Sequence, residues 1–207
     1  MIIVDGDIKQ GDPEWDKLRI GNPGASSFKR IVTTKGEPSK SRKEYLYELA
    51  SEIITQKKTE HYKSYRMGEG LLWEDESRTL YELTHSVEVR RVALCYRDEE
   101  KKYHISPDGL ILEKKRGFET KDAIPKIQIP RLLKGTLPTE HFTQCQGSLM
   151  VTELETWDFQ SYCRGLPELT VRVHRDEKFI EKLEKALDEF TLELVMLVRD
   201  IRNKGAK

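Results

Sequence analysis

Apolar residues recur along this chain with two different periods, and the changes of period divide it into predicted helices and strands. Spacings of three and four residues predict amphipathic helices over residues 39–55, 67–83, 139–151 and 176–203. Shorter apolar runs, several of them alternating, are typical of strands and cover residues 86–97, 102–106, 109–113, 117–121, 155–162 and 168–174. This order predicts a mixed α/β (α+β) fold with a central sheet, flanking helices and one long C-terminal helix.

The segments between these elements carry turn and loop signals. Asp12 and Pro13 suit the cap and first turn of a short helix over residues 12–18, and a second short helix is predicted over residues 26–32. Loops are predicted where glycine, proline and serine cluster, at residues 20–25, 34–41 and 123–138. In the last of these segments, three prolines interrupt any helix.

Composition limits the class of protein without identifying it. The chain has 207 residues, enough for a single domain over residues 1–207 with a sizeable core. Its 36 basic and 36 acidic residues balance, so binding to a polyanion depends on where basic residues gather, not on net charge. Three cysteines without metal-type spacing, no recognisable signal peptide and no long apolar run lead us to expect a cytosolic protein without a membrane partner.

The most informative polar residues lie at two adjacent predicted strands. Ser106-Pro107-Asp108-Gly109 places a carboxylate before one strand, and Glu119-Thr120-Lys121 places a second carboxylate and an amine in the next. Side chains two positions apart on a strand share a face, so Glu119 and Lys121 project together while Thr120 points away. Two acids and an amine at one point suit a divalent cation and an activated water, which is the chemistry of phosphodiester hydrolysis.

An ordinary structural explanation exists for the same residues. Pro107-Asp108-Gly109 is also good β-turn chemistry, and Glu119 with Lys121 also suits a surface ion pair on an edge strand. An acid followed by Glu-x-Lys is a weak signal in so highly charged a chain. The rest of the sequence has to decide between the two interpretations.

Three further segments accompany these acids in a fixed order. They are residues 14–21 followed by 24–27, residues 67–74 followed by Arg78, and residues 144–151 followed by Trp157-Asp158-Phe159. With the two acidic motifs, this set resembles the lambda-type alkaline exonucleases, in the YqaJ-like viral recombinase branch of the restriction-endonuclease-like PD-(D/E)xK nucleases. The resemblance covers residues 11–190, and the motifs are specific as an ordered set although each alone is weak.

The resemblance implies a function that composition and periodicity do not. Enzymes of this kind digest one strand of linear double-stranded DNA in the 5′→3′ direction with Mg²⁺, leaving a 3′ overhang. A single-strand annealing protein then uses the overhang in phage-type recombination. Similar enzymes form a ring-shaped homotrimer around DNA. The resemblance therefore implies a phage or prophage origin and a bacterial cytoplasm, with Mn²⁺ as the expected substitute for Mg²⁺.

The resemblance also implies a set of metal ligands. These are the carboxylates of Asp108, Glu119 and Glu74, with the backbone carbonyl of Thr120 as a further oxygen. For Glu74 the alternative is a helix-surface acid paired with Arg78 one turn later.

Two more residues take catalytic roles on the same resemblance. Lys121 lies near the attacking water, where it stabilises hydroxide or the charge that develops on the phosphate. Gln144 orients Lys121 or the water by hydrogen bonding. The alternative for Gln144 is a solvent-facing helix residue.

A pocket for the terminal 5′-phosphate is implied at the N-terminal motif. Arg19, Ser26 and Ser106 form it, because a guanidinium group and hydroxyls suit phosphate oxygens. Met67 takes the place of an apolar wedge that separates the end base pairs. The alternatives are a surface ion pair for Arg19, a helix cap for Ser26, a turn for Ser106 and core packing for Met67.

The chain departs from the family pattern in two places. Residues 22–27 (Asn-Pro-Gly-Ala-Ser-Ser) replace an Ile-Thr-Ala-Ser-like run, which leaves open whether Ser26 or Ser27 faces the phosphate. Asp122-Ala123 follows the lysine where relatives have Cys-Pro. On a regular strand Asp122 faces away from Lys121, so we leave it out of the site.

Two other functions stand beside the metal-dependent DNA exonuclease. One is another nuclease of the same fold, either an endonuclease or a single-strand-specific enzyme. The other is a non-catalytic DNA-binding or annealing protein. The second is less consistent with the sequence, because a purely binding protein has no need to cluster carboxylates beside phosphates.

Overall fold

Helices and two β-sheets alternate along the chain. The structure, a computed structural model, describes residues 1–6, 8–59 and 66–205, and along residues 66–72 it describes the backbone alone. Its α-helices are α1 (Pro13–Arg19), α2 (Arg42–Thr55), α3 (Arg66–His85), α4 (Pro125–Lys134), α5 (Thr139–Thr152) and α6 (Glu177–Gly205). Its strands are β1 (Ile2–Val4), β2 (Leu94–Tyr96), β3 (His104–Ile105), β4 (Gly109–Ile111), β5 (Arg116–Asp122), β6 (Thr156–Tyr162) and β7 (Leu169–His174). Short 3₁₀-helices span Ala25–Arg30 and Leu112–Lys114.

The strands divide between a small sheet and a larger one. β1, β2 and β3 form an antiparallel sheet in which Cys95 lies opposite both Ile3 and Ile105. β4, β5, β6 and β7 form a mixed sheet in which β5 runs parallel to β6 and the outer pairs are antiparallel. The mixed sheet, the flanking helices and the long terminal helix α6 confirm the predicted fold class.

The main core lies between the mixed sheet and helices α5 and α6. Trp157 and Phe159 of β6 are buried there against Leu149 of α5 and Leu183 of α6. Every third or fourth residue of α6 from Phe179 onward faces this core, as its apolar spacing predicts. Within the described residues, no helix is long and apolar enough to cross a membrane.

Helix α3 packs on β5 at the other side of the mixed sheet. The ring of Tyr81 packs at a tilt against that of Phe118 of β5, with the ring centroids 4.4 Å apart, in a small cluster separate from the main core. Its hydroxyl donates to Asp158 Oδ2 at 2.7 Å, and this buried carboxylate also accepts hydrogen bonds from Arg116 and Arg172. These contacts hold α3 against the sheet at Tyr81, which lies two helical turns after Glu74 on the same helix.

The single long strand predicted over residues 86–97 is wrong, because this segment passes from one sheet to the other. Arg90 exchanges two backbone hydrogen bonds with Leu110 of β4, at 2.8 and 2.9 Å. Four residues later the chain pairs with β1 and β3 instead, as β2. Val89 belongs to the small cluster and Val92 to the main core, so the apolar alternation reflects two cores and not one strand.

The predicted meander and the N-terminal segment also differ from the structure. β3 and β4 are shorter than predicted and lie in different sheets, so the meander is divided between them. β1 was not predicted, since three apolar residues at the end of a chain carry little periodic signal.

Residues 123–138 contain helix α4 where a loop was predicted. Pro125 occupies its first turn, where no backbone N–H is required, and Pro130 lies inside the helix. Buried Gln128 compensates through tertiary contacts: its Nε2 donates to the carbonyls of Ser161 and Pro167 at 3.0 and 2.8 Å, and its Oε1 accepts from Ser161 Oγ at 2.6 Å. Packing on β6 thus overrides the helix-breaking signal of the prolines.

Candidate functional site

Glu119 and Lys121 project from the same face of β5, as their spacing predicts, and they form an ion pair. Glu119 is buried, with 3% of its side chain exposed, whereas 33% of the Lys121 side chain is exposed. Gln144 of α5 donates through Nε2 to Glu119 Oε1 at 2.6 Å, the oxygen that also accepts from Lys121. The strand and the helix together hold this carboxylate in one orientation.

Asp108 lies directly before β4 and adjoins the same strand. Its Oδ2 accepts a hydrogen bond from the backbone N–H of Thr120 at 2.7 Å. Burial, followed by the nearby charge of Glu119, raises the pKa of Asp108 well above its usual value. Lys121 acts to lower the pKa of Asp108 and Glu74 acts to raise it, so the charges of Glu119, Lys121 and Glu74 all reach Asp108.

Lys121 stays protonated in this surrounding. Burial acts to lower the pKa of its ammonium, but Glu119 and Asp108 outweigh that effect and raise the pKa above its usual value. The site therefore presents a permanent positive charge beside two carboxylates.

Glu74 lies on α3, which packs on the opposite side of β5 from Gln144, and it influences the site through its charge. One turn along the helix, Ser77 accepts a hydrogen bond at 3.0 Å from the hydroxyl of Thr120, which points away from Lys121 as expected. Glu74 Oε1 lies 3.5 Å from Arg78 Nη1, which is the ion pair given as the alternative in the sequence analysis. Its charge also helps to raise the pKa of Asp108. Partial desolvation, and then Glu74, raise the pKa of Asp122 to about 6, consistent with its place on the α3 side of the strand.

The carboxylates fit a hard divalent cation by their chemistry. Asp108 and Glu119 offer oxygen ligands in a poorly solvated position, and their mutual repulsion is the condition that a bound cation relieves. Among the residues that the structure describes, no three His, Cys, Asp or Glu side chains are grouped so that they could hold a metal ion. Glu119 Oε1 is engaged by Lys121 and Gln144, and Glu74 by Arg78.

The three residues expected to bind a terminal phosphate line one pocket. Arg19, Ser26 and Ser106 meet there, and Glu119 and Gln144 form another part of its wall. The pocket thus runs from the guanidinium group of Arg19 to the carboxylate of Glu119.

The two hydroxyl groups of this pocket are not equivalent. Ser106 Oγ is buried and forms no hydrogen bond within the described part of the chain. Ser26 lines the pocket, whereas Ser27 does not. Of the two neighbouring serines, Ser26 is therefore the one positioned to meet a ligand.

Arg19 is held by its neighbours on three sides. Its guanidinium carbon lies 3.8 Å from the ring centroid of Trp15, and its Nε donates to His104 Nε2 at 3.3 Å. Asp16 Oδ1 is 3.7 Å from Nη1. Burial, partly offset by Asp16, lowers the pKa of Arg19 from its ordinary value.

Two residues of the site were not predicted from the sequence. Ser77 supports Thr120, and His104 contacts Arg19, but neither has a spacing that marks it as functional. The available signal for His104 was the departure from the family pattern at residues 22–27, because Asn22 of that segment contacts the His104 ring. The side chain of Met67 lies outside the described residues, so its role as a wedge stays a prediction.

The fold is shared with known nucleases, and the comparisons with known proteins show the family. Residues 14–155 match the YqaJ-like viral recombinase domain, which covers more than half of the chain. The protein belongs to this family, that of the phage-type alkaline exonucleases, as its motifs predict. No curated protein sequence matches it at a significant level.

Solved structures of exonucleases share the fold. An alkaline exonuclease (LHK-Exo) from Laribacter hongkongensis matches with a TM-score of 0.84 and 25% identity, over 94% of this chain and 98% of that one. The same enzyme in complex with dAMP matches with a TM-score of 0.85, also at 25% identity and over the same shares of both chains. A phage-related exonuclease from Haemophilus somnus 129PT is similar in fold alone, with a TM-score of 0.66 and 14% identity over 87% of this chain and 96% of that one.

Proposed function

We propose that this protein is a Mg²⁺-dependent, processive 5′→3′ exonuclease that digests one strand of linear double-stranded DNA. The observation that carries the proposal is the single pocket in which Arg19, Ser26 and Ser106 adjoin Glu119 and Gln144. A terminal 5′-phosphate bound at Arg19 brings the adjacent phosphodiester bond toward Glu119 and the neighbouring Asp108. Removal of nucleotides from a 5′ end is the activity that such a connected pocket supports.

The proposed metal ligands are Asp108, Glu119, Glu74 and the carbonyl oxygen of Thr120. When bound, Mg²⁺, or Mn²⁺ in its place, supplies positive charge to the phosphate and makes a water molecule a better nucleophile. The pairing of Glu74 with Arg78 means that this acid has to exchange one partner for another on metal binding.

The protein's own side chains supply the remaining chemistry. The protonated ammonium of Lys121 lies beside Glu119, where it stabilises negative charge that develops on the phosphate in the transition state. Gln144 keeps Glu119 in place by its hydrogen bond to Oε1. Neither residue has to change its protonation state for this role.

Assembly and partners form the second part of the proposal, and family membership supports it. We propose one exonuclease domain over residues 1–207, three copies of which close into a ring around DNA. A closed ring explains processivity, because it keeps the enzyme on the duplex between turnovers, and a cyclic arrangement uses the same heterologous contact three times. The 3′ overhang is passed to a single-strand annealing protein in the cytoplasm of a bacterial host, which fits a phage or prophage origin.

A digestion assay on end-labelled linear duplex tests the activity. We expect release of the 5′ label first, in the presence of Mg²⁺ or Mn²⁺ and not with EDTA, and no cleavage of closed circular DNA. Equal rates on circles and linear DNA would support the endonuclease alternative, and early release of a 3′ label would reverse the polarity. Binding without cleavage under all metal conditions would indicate a binding or annealing protein.

The molar mass of the purified protein, measured by light scattering, tests the proposed ring. A homotrimer has three times the chain mass of 24.2 kDa. A monomer at working concentration, combined with processive digestion, would contradict ring closure as the cause of processivity.

A further inference from the structure

His104 is buried in the wall of the phosphate pocket, with 2% of its surface exposed. Its Nδ1 lies 2.8 Å from Asn22 Oδ1, and its Nε2 lies 3.3 Å from Arg19 Nε. A guanidinium group only donates hydrogen bonds, so Nε2 has to be the acceptor. The ring proton therefore sits on Nδ1 and is donated to Asn22.

The charge of the ring agrees with this geometry. Burial, followed by the positive charges of Arg19 and Lys58, lowers the pKa of His104 to about 3. The imidazole is thus neutral at physiological pH, and its tautomer is fixed by the two neighbours that it contacts.

Gly24 provides the space that the imidazole ring occupies. A Cβ atom at this position would lie 2.8 Å from His104 Nε2. The backbone is closely paired at the same place, since His104 N donates to the carbonyl of Pro23 at 3.1 Å. The departure from the family pattern at residues 22–24 therefore has a structural consequence: Asn22 binds the ring and Gly24 makes room for it.

The contact with His104 determines how the guanidinium group of Arg19 is turned. Its Nε is engaged by the imidazole, and its guanidinium carbon lies over the ring of Trp15, 3.8 Å from the centroid. Both contacts fix the plane of the group without using Nη2. A bidentate contact with phosphate uses two parallel N–H donors of such a group, and an orientation fixed beforehand lowers the entropy lost on binding.

We propose that His104, held by Asn22, is a positioning residue that orients Arg19 for a 5′-terminal phosphate. This inference rests on the proposed function, because it assumes that the pocket binds that group. It goes beyond the proposed function by assigning a residue pair, His104 and Asn22, that sets the preference of this enzyme for phosphorylated ends.

The test compares KM and kcat on linear duplexes that differ only in a 5′-phosphate or a 5′-hydroxyl. We expect His104→Ala to raise KM for phosphorylated ends about tenfold, the effect of a lost hydrogen bond to a charged group. Its kcat should stay within about twofold of the wild type, and its KM for hydroxyl ends should not change. Arg19→Ala is the reference for complete loss of the preference, and His174→Ala, at an exposed histidine, is the control without effect.

Conservative and second-site variants separate positioning from a structural role. His104→Gln offers an amide oxygen to Arg19 and an amide N–H to Asn22, so it should restore most of the preference. Gly24→Ala should displace the ring and resemble His104→Ala, whereas adding Gly24→Ala to His104→Ala should have no further effect. Asn22→Ala tests the same arrangement without altering the ring, and it should also raise KM for phosphorylated ends alone.

The outcomes distinguish this inference from the proposed function. If the wild type treats both ends alike, the phosphate pocket fails and the inference fails with it. If the wild type prefers phosphate and Arg19→Ala abolishes the preference, but His104→Ala and Asn22→Ala leave it intact, the inference alone is overturned. Equal losses on both ends, without rescue by His104→Gln, would also overturn it.

Discussion

Gln144 Nε2 lies 2.6 Å from Glu119 Oε1, and this hydrogen bond joins helix α5 to strand β5 across 25 positions of sequence. We predict that Gln144→Leu lowers kcat by about ten- to a hundredfold, because partners that orient a metal-binding carboxylate commonly have effects of that size. Thermal unfolding should change little, since Gln144 is only half-buried. Single-turnover cleavage of linear duplex measures the effect.

Gln146 is the matched control for this prediction. It lies on the same helix but bonds to the carbonyl of His174 and the N–H of Asp176, away from the acids. Gln146→Leu should lower the unfolding temperature while kcat of the folded enzyme stays near the wild-type value. Activity lost to the same extent in both variants would indicate a general disturbance of α5 and would contradict the role of Gln144.

Lys121 is expected to be indispensable for cleavage but not for DNA binding. We predict that Lys121→Ala reduces kcat by at least about a hundredfold, because it removes a fixed positive charge from the transition state. The dissociation constant for duplex DNA, measured with Ca²⁺ in place of Mg²⁺, should change little. Lys114→Ala, at an exposed lysine of the adjoining 3₁₀-helix, is the control. Near-normal turnover in Lys121→Ala would contradict the assigned role.

Asp108 is expected to destabilise the metal-free protein when it is ionised. Its pKa is raised in the folded state by burial and by Glu119, so it favours the fold most below the ordinary carboxyl pKa of 3.8. That contribution is lost as the pH rises through the raised pKa. In EDTA, Asp108→Asn should therefore unfold at a higher temperature than the wild type, and the difference should grow from about pH 4 upward.

Metal binding provides the second half of this test. Mg²⁺ should raise the unfolding temperature of the wild type and reduce its difference from Asp108→Asn, because a ligand of the folded state stabilises it. The variant should lose at least about a hundredfold in kcat. A wild type that is unaffected by Mg²⁺, or a variant that is less stable at neutral pH, would contradict this account of the site.

Much of the architecture could be predicted, because long amphipathic stretches carry their own signal. The stripe of α6 and the alternation of β6 and β7 depend on local spacing, and both appear where the sequence indicated. Helix α4 could not be predicted, since its stability comes from the contacts of Gln128 with Ser161 and Pro167, more than thirty positions away. Proline is a local signal, and these tertiary hydrogen bonds override it.

The site divides in the same way between local and long-range information. Glu119 and Lys121 share a face because they are two apart on a strand, which spacing alone predicts. That Arg19 and Ser106 line one pocket depended on a family resemblance, as their separation in sequence carries no geometric signal. His104 was not found by either approach, because its contacts with Asn22 and Arg19 join residues more than eighty positions apart and follow no spacing rule.

Replacing Asp158 is predicted to change the stability of the protein in the opposite direction from replacing Asp108. Burial acts to raise its pKa, but hydrogen bonds from Arg172 and Tyr81 outweigh burial and lower it. The ionised carboxylate therefore stabilises the fold above the ordinary pKa of 3.8, and this contribution is lost as the pH falls through the lowered value. Asp158→Asn should destabilise the protein by about 2–3 kcal/mol at neutral pH, less than a fully buried ion pair because Arg172 is partly exposed.

The two aspartates thus give a paired experiment in which the two substitutions shift stability in opposite directions at pH 7, and both shifts shrink in acid. Denaturant unfolding in EDTA should show Asp158→Asn below the wild type at pH 7, with the gap closing in acid. Asp108→Asn should show the reverse, above the wild type at pH 7. Tyr81→Phe, which removes one donor to Asp158, should cost about 1 kcal/mol, and Tyr47→Phe at an exposed tyrosine should cost nothing. If both asparagine variants changed the free energy of unfolding in the same direction at pH 7, the assignment of Asp158 to a structural ion pair and of Asp108 to a cation site would fail.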